Sequence, residues 1–136
     1  MKNLIGQQVA ALPYRKHGKG VDVLLITSRA TKRWVIPKGW PMHGKDDCDA
    51  AAIEAFEEAG ITGDIGHNSI GTYHYVKSKK SGDVECEVTV YPLQVKHSFR
   101  EWPEKAERRR KWFRAKDAAS RVGEEGLQAI IAATLA

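Results

Sequence analysis

Apolar residues, many of them β-branched, come in short runs along the first part of the chain, and turn-forming residues separate the runs. Runs of this kind are typical of buried strands. Three β-strands are predicted, over residues 7–14, 21–28 and 34–36. Pro37 ends the third run, and the glycines and proline within residues 38–45 predict irregular backbone after it. The chain therefore opens with a small group of strands, of which the first two form a hairpin-like pair.

A helix is predicted next, and both of its ends carry recognisable signals. Asp46 or Asp47 suits the N-cap, three alanines follow, and Gly60 stands where a left-handed C-terminal cap belongs. These signals predict a helix over residues 47–59.

The rest of the chain predicts more strands and two closing helices. The strands are expected over residues 65–77, 84–96 and 111–114, and the helices over residues 116–122 and 124–135. The apolar stripe of the last helix comprises Leu127, Ile130, Ile131 and Leu135. This order indicates an α+β fold, because too few helices lie between strands for a fully parallel, doubly wound sheet.

The length of the chain limits the number of domains, and its charge indicates the kind of partner. The 136 residues predict one domain over residues 1–136, and 22 lysines and arginines against 17 acids give a net charge of +5. This excess favours a polyanionic partner such as a polyphosphate or nucleic acid. Cys48 and Cys86 lack the spacing of a zinc site or a disulfide scaffold, so a reducing compartment is expected. Residues 1–6 do not resemble a signal peptide and no stretch reaches ~20 apolar residues, so we expect a cytoplasmic protein with no membrane partner.

Three acids share one side of the predicted helix. Glu54, Glu57 and Glu58 fall within an arc of roughly 100°, at spacings where like charges repel, and they approach the negative end of the helix dipole. The opposite side carries Cys48, Ala52, Ala55, Phe56 and Ala59. The acidic face is either simply solvated or a set of oxygen ligands for a hard divalent ion such as Mg²⁺.

The segment around this helix follows a longer pattern. Gly39, five residues, Lys45 and seven residues precede the stretch Ile-Glu-Ala-Phe-Glu-Glu-Ala-Gly-Ile at residues 53–61, and the whole resembles the Nudix box. Lys45 and Ile53 stand where that family has glutamate and arginine. The resemblance implies an α/β/α sandwich with a mixed parallel and antiparallel sheet. It also implies a loop-helix-loop that holds divalent cations and hydrolyses phosphoanhydride bonds.

The same resemblance implies roles for individual residues. Glu54, Glu57 and Glu58 would be catalytic and would bind Mg²⁺, or Mn²⁺ in its place, together with the backbone carbonyl of Lys38. Which glutamate acts as the base stays open. A further acid from a loop is expected, and the candidates are Glu85, Glu87, Glu101 and Glu104.

Flanking residues point to a subgroup and to a substrate. Residues 33–39 and the later Trp102, Arg110, Lys111, Trp112, Phe113 and Asp117 are similar to the diphosphoinositol polyphosphate and diadenosine polyphosphate hydrolases. The resemblance implies a small molecule with a dense phosphate chain. The residues expected to bind it are Arg29, Arg33, Lys38, Gly39 and Arg110.

Two alternatives are left open. One is removal of pyrophosphate from an RNA 5′ end, which would need a basic, base-stacking path. The other is a non-catalytic domain that binds nucleotide or RNA. Nucleic acid is the less favoured partner, and the sequence is compatible with a monomer or a homodimer.

Overall fold

The computed structural model describes residues 5–135, except for the side chain of Leu135. Residues 1–4 and 136 lie outside the described part, so both ends of the predicted domain and most of the segment compared with a signal peptide are not described. The predicted packing of the Leu135 side chain also lies outside the described part. The elements are β1 (Ile5–His17), β2 (Gly20–Thr27), β3 (Trp34–Val35), β4 (Lys38–Gly39), α1 (Asp47–Ala59), β5 (Ile61–Ile65), β6 (Gly71–Lys77), β7 (Val84–Ser98), a 3-10 turn (Lys105–Glu107), β8 (Arg110–Arg114), α2 (Ala115–Arg121) and α3 (Glu125–Leu135).

The strands form one mixed sheet with β1 and β7 at its centre. These two strands run parallel, from the pair Ile5 and Glu85 to the pair Tyr14 and Gln94. The remaining pairings are antiparallel: β2 and β4 with β1, β3 and β8 with β2, and β5 and β6 with β7. The predicted mixture of parallel and antiparallel strands is confirmed.

Alternate residues of the strands bury opposite faces of the sheet. On β1, Val9 and Ala11 pack in a cluster with Ala51 and Ala55 of α1. Leu12, from the opposite face, joins a cluster contributed by α2 and α3, whose members include Ala118, Leu127 and Ile131. One helix on one face and two on the other make the three layers of the expected sandwich.

The structure matches the prediction for α1 and differs from it in two strands. Gly60 has a φ of 67° and its N–H bonds the Phe56 carbonyl, which ends α1 after Ala59 as the cap signal predicts. Residues 38–45 were expected to be irregular throughout, but Lys38 and Gly39 pair with Ala10 and Val9 as β4. The strand predicted over residues 65–77 is wrong: β5 ends at Ile65 and β6 begins at Gly71.

The length of β7 explains this second difference. β7 has 15 residues, and its first half pairs with β6 while its second half pairs with β5. The chain must therefore turn between β5 and β6, and the bond from the Gly66 N–H to the Pro92 carbonyl lies at this break. Within residues 5–135, no helix is both long and apolar enough to cross a bilayer.

Candidate active site

The short strand β4 places its backbone directly against the acidic side of α1. A Cβ atom on Gly39 would lie 2.6 Å from Oε2 of Glu54, far inside van der Waals contact. Only glycine leaves room for the Glu54 carboxylate beside this strand. Gly39 therefore belongs to the site through its missing side chain.

Glu58 is buried, with 7% of its surface exposed, although the helix pattern placed it on the side away from the core. Its Oε1 accepts a hydrogen bond from the Lys38 N–H at 3.3 Å. Burial raises the pKa of Glu58 to about 8; the Arg108 guanidinium opposes the shift and Glu54 adds to it. Glu58 therefore carries a proton at neutral pH when no cation is bound.

Glu54 and Glu57 complete the acidic group on α1, and they differ in environment. Burial raises the pKa of Glu54, and the negative charges of Glu57 and Glu104 reinforce the shift, whereas a hydrogen bond from Glu58 lowers it. Glu57 is half-buried, and its backbone carbonyl accepts the Glu104 N–H at 3.0 Å. Within residues 5–135, no three His, Cys, Asp or Glu side chains are already gathered around a point where a metal ion would fit.

Of the four candidate loop acids, only Glu104 lies at this group. Its Oε1 accepts a hydrogen bond from Nε of Arg108 at 2.8 Å. Glu101 is exposed and pairs with Lys105. Glu85 and Glu87 both bind His74 on the neighbouring strand β6. The structure thus singles out Glu104 among the four.

Arg108 belongs to the basic run at residues 108–111, of which the sequence analysis assigned only Arg110 to the site. The Arg108 side chain is 9% exposed and joins three elements: it donates to Glu104, donates to the Thr27 carbonyl at 3.1 Å, and lies 3.7 Å from Oε1 of Glu58. Ile53, where the family motif has arginine, lines a mostly apolar pocket of about 440 Å³, which Glu57 also borders. The guanidinium beside the acidic group therefore comes from the segment before β8. The only signal for it was the basic run at residues 108–111.

A cleft of about 380 Å³ opens beside Glu58. Three of the predicted substrate-binding residues, Arg29, Arg33 and Lys38, line it together with Arg108. Lys38 places its ammonium 4.9 Å from the centre of the Tyr75 ring. Burial lowers the pKa of Lys38, while the negative charges of Glu58 and Glu124 oppose that shift. The cleft thus combines a basic lining with one buried carboxylate of the acidic group.

Arg110, which was also predicted to bind substrate, does not line this cleft and lies at the C-terminal end of α1. Its guanidinium donates to the carbonyls of Ala59, Gly60 and Phe99 at 2.8, 3.2 and 2.7 Å, and it stacks 4.0 Å from the Trp102 ring. The first two carbonyls lie at the C-terminal end of α1, where positive charge is favoured by the helix dipole, and the third belongs to the segment after β7. Arg110 therefore ties the end of α1 to that segment.

The chain is similar to several curated proteins, and it spans somewhat more than half of their length. It is 38% identical over 117 residues to Nudix hydrolase 21, chloroplastic, of Arabidopsis thaliana, covering 82% of this chain and 57% of that protein. It is 29% identical over 114 residues to diphosphoinositol polyphosphate phosphohydrolase 3-beta of Bos taurus, covering 82% of this chain and 66% of that protein.

Solved structures share the fold at lower identity. The C. elegans Ap4A hydrolase in a binary complex has a TM-score of 0.67 and 24% identity, with 95% of this chain and 96% of that chain covered. The NUDIX domain of Shewanella oneidensis NrtR, complexed with ADP ribose, has a TM-score of 0.66 and 16% identity, with 97% and 88% covered. Both likenesses extend over nearly all of the sandwich. Because residues 5–133 match the NUDIX domain, the chain belongs to the Nudix family.

Proposed function

We propose that this protein hydrolyses a phosphoanhydride bond in a polyphosphorylated small molecule, such as a dinucleoside polyphosphate or a diphosphoinositol polyphosphate, with Mg²⁺ or Mn²⁺ as cofactor. One observation carries the proposal: a buried carboxylate, Glu58, forms the wall of a cleft that Arg29, Arg33 and Lys38 line with positive charge. A phosphate chain matches the basic lining. The carboxylates beside it are of the kind that binds a hard cation between protein and phosphate.

The donor set supports a divalent cation. Glu54 and Glu58 share a hydrogen bond, and burial raises the pKa of both, so a cation bound beside them would stabilise their ionised forms. Glu54, Glu57, Glu58 and Glu104 would supply oxygen ligands, which Mg²⁺ and Mn²⁺ prefer. The N–H and C=O of a strand residue project to the same side, so the Lys38 carbonyl would face the acids as its N–H does. A bound cation would neutralise phosphate charge and lower the pKa of a water molecule.

The chain's own residues would bind and orient the substrate. Arg29 and Arg33, on the β2–β3 loop, would hold phosphate oxygens with their guanidinium donors, and the Lys38 ammonium would bind a phosphate deeper in the cleft. Glu54 is the more exposed of the two hydrogen-bonded acids, and burial raises its pKa above the ordinary value. We assign to it the removal of the water proton.

Two other functions have a specific feature in their favour. Trp40 is 42% exposed, and the ammonium groups of Lys77 and Lys79 lie 5.6 and 5.5 Å from its ring. This basic aromatic surface would suit the bases of an RNA 5′ end. Lys45 and Ile53, which replace the motif's glutamate and arginine, would suit a domain that binds nucleotide without hydrolysis.

A turnover panel tests the proposal. The protein is assayed with Mg²⁺ and with Mn²⁺ on diadenosine polyphosphates, diphosphoinositol phosphates, nucleotide sugars, nucleoside triphosphates and triphosphate-ended RNA. We expect turnover of a small polyphosphate and a loss of at least ~100-fold in kcat for Glu58→Gln, which removes ligand charge at constant shape. Glu125→Gln, on the exposed side of α3, is the matched control and should retain the wild-type rate.

Two outcomes would contradict the proposal. Absence of turnover on every substrate, with nucleotide binding retained, would favour the non-catalytic domain. A Glu58→Gln variant with the wild-type rate would place the chemistry elsewhere.

The remaining expectations are also proposals. We propose that residues 1–136 act as one domain in the cytoplasm, which suits the free, buried thiols of Cys48 and Cys86. Two of the relatives are named as a chloroplastic and a mitochondrial protein. Cell fractionation of the full chain would distinguish these compartments.

A further inference from the structure

The wall of the cleft that α3 approaches carries a second carboxylate. Glu124 lies immediately before α3 and lines the cleft together with Glu58 and Lys38. Its Oε1 is shielded from solvent and has no hydrogen-bond partner among the described residues, the only side-chain oxygen or nitrogen there of which this is true. Buried polar atoms are rarely left unpaired, because the loss of water is then uncompensated. Because Glu124 also lines the cleft, a ligand bound there could donate to this oxygen once the carboxylate turns toward it.

The protein groups around Glu124 do not satisfy it. The Tyr75 hydroxyl donates instead to Oε1 of Gln8 at 2.6 Å. The Lys38 ammonium lies over the Tyr75 ring, and its charge is balanced by both Glu58 and Glu124. Tyr73 is buried nearby, and the charge of Glu124 adds to the burial that raises its pKa. None of these neighbouring groups donates a hydrogen bond to Oε1 of Glu124.

The chemistry of the missing partner follows from what a carboxylate can accept. An ionised carboxylate has no donor, and phosphate oxygens are acceptors that carry the same charge. A ligand that offered only phosphates would be attracted by Arg29 and Arg33 and repelled by Glu124. A sugar hydroxyl or a base N–H is the kind of group that would pair with it. The cleft therefore suits a ligand with phosphates at one end and neutral donors at the other.

We propose that Glu124 is a specificity-determining residue that accepts a hydrogen bond from the sugar or base of a nucleoside polyphosphate. It thereby selects such substrates over fully phosphorylated inositols, which offer phosphates in place of hydroxyls. This inference rests on the proposed function for the identity of the cleft. It goes further by assigning the substrate class to one residue.

Binding without turnover tests the assignment first. ADP and inorganic pyrophosphate share the same phosphates and differ by the nucleoside, so calorimetry with both probes isolates the nucleoside contribution. Glu124→Met removes the acceptor at similar size and should weaken ADP binding about 10- to 100-fold, the range for a charged hydrogen bond, while pyrophosphate binding stays equal or becomes tighter. Glu124→Gln should lose less, because its amide oxygen can still accept. Glu125→Gln is the matched control and should bind both probes as the wild type does.

Steady-state kinetics provide the second readout. For a diadenosine polyphosphate, Glu124→Met should raise KM by a similar factor with kcat within about threefold. For a diphosphoinositol polyphosphate, KM should be unchanged or lower. Equal losses for both substrates, or for ADP and pyrophosphate, would show a structural role and overturn the assignment. Unchanged ADP binding in both Glu124 variants would also overturn it.

The two proposals fail in different ways. If the wild-type protein hydrolyses nothing, the proposed function is wrong, but the comparison of ADP with pyrophosphate still decides the role of Glu124. If a Glu124→Met variant does not fold, as judged by circular dichroism, the isosteric Glu124→Gln carries the comparison with its smaller expected loss.

Discussion

Replacing Glu58 with glutamine should change how the stability of the cation-free protein depends on pH. Glu58 is buried beside Glu54, and its pKa is raised to about 8 from an ordinary value of 4.5. The unfolded chain releases this proton near pH 4.5, whereas the folded protein keeps it up to about pH 8. The contribution of Glu58 to stability is therefore fully present below pH 4.5 and is lost as the pH rises through 8.

The size of the effect follows from the shift in pKa. Each pH unit between the two pKa values costs the folded state about 1.4 kcal/mol. From about pH 5 to about pH 8, the wild-type free energy of unfolding should fall by up to about 4 kcal/mol through Glu58 alone. A glutamine side chain cannot ionise, so the free energy of unfolding of the Glu58→Gln protein lacks this decline. Its stability relative to the wild type should therefore increase as the pH rises.

Urea unfolding in excess chelator, at several values between about pH 5 and about pH 9, measures the effect. The informative quantity is the difference in unfolding free energy between the Glu58→Gln variant and the wild type, because titrating groups that do not contact Glu58 cancel in it. Glu125→Gln, on the exposed side of α3 and away from the acidic group, is the matched control for the substitution itself. Parallel profiles for Glu58→Gln and the wild type would refute the claim that burial holds a proton on Glu58.

Three further predictions concern the surroundings of the acidic group. Gly39→Ala should displace the Glu54 carboxylate and reduce kcat at least ~10-fold in a turnover assay, while circular dichroism reports an intact fold; an unchanged kcat would show that Glu54 has room to move. Arg108→Met should raise the pKa of Glu58 still further by removing its counter-charge, so that the pH profile of the cation-dependent rate moves to higher pH; a profile that stays in place would contradict the contact. Arg110→Met should lower the free energy of unfolding by about 2 kcal/mol, measured in urea, with KM unchanged; a raised KM at unchanged stability would restore its role in substrate binding.

Local signals were enough for α1 and for the acids on it. The N-cap falls at the predicted Asp46, although its side chain makes no capping hydrogen bond, and Gly60 ends the helix through its bond to the Phe56 carbonyl. The motif spacing places Glu54, Glu57 and Glu58 relative to Gly39. The burial of Glu58 could not be read in the same way. It depends on β4, whose two residues pair with β1 about thirty positions earlier in the chain.

Side chains that reach the site from distant segments were harder to predict. Arg108 and Arg110 stand two positions apart in one basic run, yet one contacts Glu58 and the other the C-terminal end of α1. No periodicity distinguishes them, because the outcome depends on where β8 pairs with β2. The sequence did not indicate a role for Glu124. Its Oε1 is unpaired because of how the tertiary structure places its neighbours, and no local pattern predicts that placement.

The parallel pairing of β1 with β7 has a consequence for how the molecule assembles. Ile5 meets Glu85 and Tyr14 meets Gln94, so each contact closes a separation of 80 residues. Contacts of such long range slow the search for the native state, because chain entropy is lost before they form. During synthesis, more than half of the polypeptide must emerge before β1 can pair with β7. Until then the apolar residues of β1 can associate wrongly with other chains. The strand β4, which packs against Glu54, also pairs with β1 and so has no completed sheet to join.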